Sequence, residues 1–192
     1  VGDLPRMSRH DLVIDNATII DGLGGPGRTG GVAVRDGRIT AVGRDLGDAR
    51  ERVDAHGLVL APGIVDIHTH YDAQLTWDPF ATPSTALGVT TVVIGNCGFT
   101  IAPCRPGDRD LTLRNLTHVE GMSLDALRAG VDWDFESYPQ FLDAMERRGV
   151  VPNVGSFVGH SSVRIYVLGA DATRRAATDA EIAEMRRLVL EA

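Results

Sequence analysis

Three short apolar segments, each followed by side chains that can bind a metal ion, constrain the fold of this chain most strongly. The segments and the polar residues that follow them are 64–67 with His68 and His70, 90–94 with Cys97, and 151–158 with His160. Helical patterns lie between these segments. Alternating strands and helices are typical of right-handed βα units in a parallel sheet. In a (β/α)₈ barrel the reactive groups lie where the strands end.

The sequence His68-Thr69-His70 follows a β-branched run. Such a run predicts a short strand of the fully buried kind. Residues at i and i+2 of a strand point to the same face, so the two imidazoles would lie side by side. Two imidazoles at this spacing can bind one metal ion. The alternative is that both are ordinary polar residues at the end of a strand, and the spacing leaves both interpretations open.

The first 59 residues show a different, strand-rich pattern that predicts a small β-sandwich or half of one. Asp15-Asn16 predicts a turn between two strands, and Asp36-Gly37 predicts a two-residue hairpin. The glycine-rich stretch 21–31 precedes a strand rather than a helix, so it predicts a hairpin loop and not a phosphate-binding loop. We therefore divide the chain into residues 1–59 and residues 60–192.

Helices are predicted in the second part from apolar spacing and from capping residues. The predicted helices are 82–88 with Thr82 as N-cap, 111–119, 123–129 with Ser123 as N-cap, 135–148, and a final helix opened by the capping box of Thr178 and Glu181. The aromatic stripe of 135–148 is interpreted as core. The final helix has no Gly or Pro stop after it, and we expect the chain to be part of a longer protein.

Composition excludes several classes of protein. The 192 residues carry a formal net charge of −7, which argues against a nucleic-acid or anionic-membrane partner. No apolar run approaches the roughly 18 residues of a membrane span, and the start lacks the pattern of a signal peptide. The two cysteines, Cys97 and Cys104, are therefore expected to be reduced, in a cytoplasmic protein.

Two motifs resemble the amidohydrolase superfamily and, within it, the N-acyl-D-amino-acid deacylase (D-aminoacylase) family. The first is LAPGIVDIHTH at 60–70, with Asp-x-His-x-His, and the second is GVTTVVIGNCG at 88–98, with Gly-Asn-Cys-Gly. The hairpin at 34–43 is similar to the N-terminal β-sandwich of the superfamily. The segment 158–169 is also similar to the D-aminoacylase group.

This resemblance implies an α/β fold, namely the N-terminal part of a (β/α)₈ TIM-barrel metal-dependent hydrolase preceded by a small β-sandwich segment. It implies one or two Zn²⁺ ions bound by His68, His70 and Cys97. Many superfamily members bridge two metals with a carboxylated Lys, and this chain has no Lys. In the D-aminoacylase group a Cys takes that place, so Cys97 would be a thiolate ligand rather than a buried inert thiol.

The implied reaction is hydrolysis of the amide bond of a small-molecule N-acyl-D-amino acid, which releases a carboxylic acid and a D-amino acid. Further zinc ligands and a catalytic Asp would come from later strands. No catalytic residue is therefore expected within 1–192, and these residues alone are expected to be inactive. The sequence leaves the preferred side chain and the oligomeric state open.

Several alternatives stay open at this point. Asp66 would either orient a metal-binding His or have no role beyond the strand itself. His160 would either contact the substrate or only form hydrogen bonds within the mouth of the barrel. Cys104, in a proline-containing loop, is not expected to bind metal. At the level of function, the alternatives are a cyclic-amide hydrolase of the dihydroorotase or hydantoinase kind, and a non-catalytic metal-binding piece.

Overall fold

The structure, a computed structural model, describes residues 9–192 except for the side chains of residues 119 and 120. It divides into two compact units, with the boundary between Pro62 and Gly63. Our division at residues 59 and 60 stays a prediction about the domains of the whole protein. None of the helices in the described range is both long and apolar enough to span a membrane.

The first unit is a mixed five-stranded sheet in which β1 is central. Its strands are β1 (His10–Ile19), β2 (Arg28–Arg35), β3 (Arg38–Gly43), β4 (Ala49–Asp54) and β5 (Val59–Leu60). The order is β3-β2-β1-β4, and β5 also pairs with β1. The β1–β2 and β2–β3 pairs are antiparallel, whereas β4 and β5 run parallel to β1.

The hairpin between β2 and β3 confirms the prediction from Asp36-Gly37. Both residues have positive φ, 50° for Asp36 and 68° for Gly37. Positive φ at both central residues is what a two-residue type I′ turn requires, because its twist matches that of the two strands. The glycine-rich stretch also forms a connection between antiparallel strands, although β2 already begins at Arg28.

The predicted turn at Asp15-Asn16 is wrong. Strand β1 continues through both residues, with a register shift between Ile14 and Ala17 and a positive φ of 61° at Asn16. The side-chain amide of Asn16 donates a hydrogen bond to Asp54 at 2.9 Å. Pairing with strands on both sides holds β1 extended, so an Asn that favours positive φ forms a bulge instead of a turn.

The second unit has a mixed α/β fold built around a parallel sheet. The strands are β6 (Ile64–Asp66), β7 (Val89–Ile94) and β8 (Asn153–Ser156), in the order β6-β7-β8. The helices are α1 (Arg109–Glu120), α2 (Leu124–Gly130), α3 (Tyr138–Arg148), α4 (His160–Leu168) and α5 (Asp179–Glu191). The predicted βα alternation is confirmed, although the third strand is shorter than the predicted 151–158.

The core of this unit lies between β7 and the aromatic stripe. Val92 and Ile94 of β7 and Phe141 of α3 are fully buried in one apolar cluster. The ring of Phe141 lies 5.0 Å from the ring of Phe135 and 6.2 Å from the ring of Tyr138, measured between centroids. The interpretation of the stripe as core is therefore confirmed.

Helix capping follows the predicted side chains in two of three cases. Ser123 caps α2, and Thr178 forms a capping box with Glu181 at the start of α5. The predicted helix from Thr82 is wrong, because only a 3₁₀ turn forms, at Thr85–Leu87. The backbone N–H of Thr82 instead donates to the carboxylate of Asp78, which makes the preceding residues part of a turn. Ser137, which the sequence analysis did not name, caps α3.

Strand β6 differs from the fully buried strand that was predicted. Ile64 and Val65 are 55% and 56% exposed. The strand ends at Asp66, so Ile67 already lies in the loop. In the described part of the chain β6 is an edge strand that pairs with β7, and this position leaves its apolar side chains uncovered.

Candidate metal centre

The predicted metal ligands lie in two neighbouring loops at the carboxyl edge of the parallel sheet. His68 and His70 follow β6, and Cys97 lies in a 3₁₀ turn, Asn96–Gly98, that follows β7. Because β6 and β7 are adjacent and parallel, the loops that follow them meet at the same edge. The spacing of the two histidines predicted that they lie on a strand. In the structure both are loop residues, because β6 ends at Asp66.

The three side chains converge on one point. One ligand atom from each of His68, His70 and Cys97 lies within 4.8 Å of the other two. The Sγ atom of Cys97 is 3.3 Å from Nε2 of His68, and the centroids of the two imidazole rings are 5.5 Å apart. A tetrahedral zinc ion with bonds of about 2.0–2.3 Å has ligand atoms about 3.3–3.8 Å apart. The Sγ–Nε2 separation of 3.3 Å lies at the lower end of that range, and the other two separations are at most 4.8 Å.

The donor set also fits a transition metal. Imidazole nitrogen and thiolate sulfur are the ligands that zinc prefers in proteins. The Nδ1 atom of His70 is buried and has no hydrogen-bond partner among the described residues. A buried nitrogen without a protein partner costs free energy unless something else binds it, and a metal ion would do so.

The histidine loop is fixed by hydrogen bonds to its own strand and to β7. Both the backbone N–H and the hydroxyl of Thr69 donate to the carbonyl of Val93, at 3.0 and 2.9 Å. The carboxylate of Asp66 accepts from the backbone N–H of His68 at 3.2 Å. Asp66 therefore orients the backbone of His68, whereas the sequence left open an effect on a histidine side chain.

The turn that carries Cys97 has an unusual backbone. Gly95 and Cys97 both have positive φ, 76° and 55°. A β-carbon at position 95 would lie 2.3 Å from the carbonyl oxygen of Phe157, so only glycine fits. The side-chain amide of Asn96 donates to the carbonyls of Thr69 and Val93. These contacts aim the exposed thiol of Cys97 at the histidine loop.

The electrostatics of the site favour the metal-binding form of His70. Burial lowers the pKa of this imidazole below its usual value, and the positive charge of His68 lowers it further. A lowered pKa keeps the ring neutral at pH 7. Neutral imidazole is the form that binds a metal ion.

Asp72 is a site residue that the sequence analysis missed. Its side chain is fully buried, and its Oδ2 atom accepts a hydrogen bond from the backbone N–H of Gly95 at 3.1 Å. Burial raises the pKa of this carboxyl to about 7. The available signal was an acidic residue two positions after His70 and directly before the buried apolar residues Ala73 and Leu75.

Cys104 and His160 lie outside the metal-binding cluster. Cys104 is buried beside the hydroxyl of Thr112, 3.4 Å away, and burial raises the pKa of its thiol to about 11. This agrees with the expectation that Cys104 does not bind metal. His160 is exposed at the first turn of α4, next to Gly98. The structure therefore brings His160 to the same edge of the sheet but not into the cluster.

Comparison with known proteins agrees with these features. The sequence model of the amidohydrolase family matches residues 51–192. This chain belongs to the amidohydrolase family. It is 43% identical to D-aminoacylase from Alcaligenes xylosoxydans xylosoxydans over 185 residues, which cover 95% of this chain and 35% of that protein. It is also 43% identical to the N-acyl-D-aspartate deacylase of the same organism over 192 residues, which cover 99% of this chain and 35% of the relative.

A crystal structure gives the same assignment. The N-acyl-D-glutamate deacylase from Bordetella bronchiseptica, complexed with zinc and a phosphonate inhibitor, superimposes with a TM-score of 0.77 at 32% identity. The superposition covers 96% of this chain and 36% of that protein. The resemblance to the D-aminoacylase family is thereby confirmed. This amidohydrolase chain spans about a third of the length of the relatives that it matches.

Proposed function

We propose that the full-length protein is a zinc-dependent amidohydrolase that hydrolyses N-acyl-D-amino acids to a carboxylic acid and a D-amino acid. The observation that carries this proposal is the convergence of His68, His70 and Cys97 within 4.8 Å. The similarity to two deacylases of D-amino acid derivatives supports the substrate class. The zinc in the related deacylase structure supports the choice of ion.

The residues of this chain would act as the metal-binding half of the site. Zinc polarises a carbonyl group and lowers the pKa of the water it binds to about 7. His68 and His70 would bind the ion as neutral imidazoles, and Cys97 as a thiolate. A thiolate ligand supplies negative charge to the ion, as a carboxylated Lys would do.

We place this site at the mouth of a (β/α)₈ barrel, of which β6, β7 and β8 would be the first strands. The parallel order β6-β7-β8 and the position of the cluster at their carboxyl edge support this part of the proposal. The mixed sheet of the first unit would form part of a β-sandwich. The catalytic base would come from a later strand.

The direct test is stereochemical. The full-length protein, loaded with Zn²⁺, is assayed for release of acetate from N-acetyl-D- and N-acetyl-L-amino acids, with hydantoin and dihydroorotate as cyclic-amide controls. We expect clear preference for the D enantiomer and no turnover of the cyclic amides. Equal rates on the two enantiomers, or turnover of hydantoin alone, would contradict the proposed substrate class.

A further inference from the structure

Asp72 connects the two segments that carry the candidate metal ligands. It lies two residues after His70, and its carboxylate accepts the backbone N–H of Gly95, two residues before Cys97. The hydrogen bond therefore joins the histidine loop to the cysteine turn. Both ends of this link are fixed, because Asp72 is fully buried and Gly95 is buried as well.

The same carboxyl group is costly for folding. Its Oδ1 atom is buried and has no hydrogen-bond partner in the described part of the chain. A buried polar atom without a partner destabilises a protein, and an apolar side chain of similar size would avoid that cost. Packing alone therefore does not account for an acid at this position, whereas a role in holding Gly95 does.

We propose that Asp72 is a positioning residue for the metal site, which sets the distance between the histidine loop and Cys97 through its hydrogen bond to Gly95. This inference rests on the proposed function only in assuming that His68, His70 and Cys97 share one ion. Partners that orient metal ligands typically change metal affinity by about 10- to 100-fold when they are removed. We expect an effect of that size from Asp72, although it acts through the backbone.

The experiment uses the metal-free full-length protein and titrates it with Co²⁺. The readouts are the affinity for Co²⁺ and the thiolate-to-cobalt charge-transfer band, which reports the bond to Cys97. Asp72→Val removes the acceptor, whereas Asp72→Asn keeps an oxygen that can accept from Gly95. Leu75→Ala is the control, since Leu75 is a fully buried neighbour that makes no side-chain hydrogen bond.

We expect Asp72→Val to bind Co²⁺ at least about tenfold more weakly and to lose most of the charge-transfer band. Its melting temperature reflects two opposing effects, because the substitution removes the unpaired Oδ1 atom but leaves the buried N–H of Gly95 without an acceptor. Co²⁺ affinity is therefore measured at a temperature at which the variant is fully folded. Asp72→Asn should keep the band and an affinity within about threefold of the wild type. Leu75→Ala should melt at a lower temperature than the wild type. At temperatures at which this variant is folded, its affinity for Co²⁺ should equal that of the wild type.

The proposal is overturned if folded Asp72→Val binds Co²⁺ with the wild-type affinity and band, or if Asp72→Asn is as impaired as Asp72→Val. If Asp72→Val does not fold, Asp72→Ser takes its place, because the serine oxygen is one bond closer to the backbone than the carboxylate oxygen that accepts from Gly95 at 3.1 Å. A wild-type protein without a Cys97-dependent band would overturn this inference together with the metal site. A wild-type protein with the band but without D-deacylase activity would overturn the proposed reaction alone.

Discussion

The Sγ atom of Cys97 lies 3.3 Å from Nε2 of His68, although the two residues are 29 positions apart in the sequence. The contact exists because β6 and β7 are adjacent and parallel, so that the loops after both strands lie at one edge of the sheet. A thiol and an imidazole in such contact, with a second imidazole beside them, form a site that a metal ion can complete.

The turn before Cys97 should not tolerate a β-carbon at position 95. Gly95→Ala would place its Cβ 2.3 Å from the carbonyl oxygen of Phe157, at a φ of 76°. We expect it to lower the free energy of unfolding by about 2–4 kcal/mol, through overpacking and backbone strain together. Gly88→Ala is the matched control, because Gly88 has a φ of 91° but open space around it. Urea denaturation of both variants measures the difference, and equal losses would contradict the steric argument.

Metal affinity should fall as the pH falls. Free imidazoles titrate near pH 6.5, and a protonated imidazole cannot bind a metal ion. Burial and the charge of His68 lower the pKa of His70, so this ring should stay neutral to lower pH than a free histidine. A cysteine must also lose its proton to bind as a thiolate, so we expect the apparent affinity for Zn²⁺ to fall over the whole range from about pH 8 to pH 5. The slope should steepen below about pH 6 towards three log units per pH unit from these three ligands, one for the thiol and one for each ring. Competition with a chromophoric chelator between pH 5 and 8 measures this, and a flat profile would contradict the ligand assignment.

The aromatic core should be important for stability but not for metal binding. Phe141 is fully buried against Phe135 and Tyr138. Phe141→Ala should lower the free energy of unfolding by about 3–5 kcal/mol, because it removes a large apolar side chain and leaves a cavity. Leu142→Ala, at the neighbouring position that is 37% exposed, should cost far less. Denaturant midpoints give the stabilities, and metal content of the folded fraction should be the same in both variants.

Local patterns were sufficient to predict the elements that depend on local interactions. The Asp36-Gly37 hairpin, the capping box at Thr178 and the apolar stripe around Phe141 depend on residues close together in the sequence, and all three are confirmed. The bulge at Asn16 could not be predicted in this way. Its conformation is decided by strands that pair with β1 from both sides.

The candidate site also combines residues that local sequence identifies with one that depends on contacts between distant segments. His68, His70 and Cys97 could be named because metal-capable side chains follow recognisable strands. Asp72 could not, since its role depends on a hydrogen bond to Gly95, 23 residues later in the chain. A sequence indicates which residue types follow a strand, whereas three-dimensional pairing decides which loops are held together.

The role of Cys97 provides the most direct test of this account. Cys97→Ala and Cys104→Ala are made in the full-length protein, and zinc content after dialysis is measured together with turnover of an N-acetyl-D-amino acid. Because Cys97 lies in the cluster whereas Cys104 is buried beside Thr112, only the first substitution removes a ligand. We expect Cys97→Ala to lose zinc and nearly all activity, and Cys104→Ala to keep both. Full zinc occupancy and a normal rate in Cys97→Ala would contradict the account.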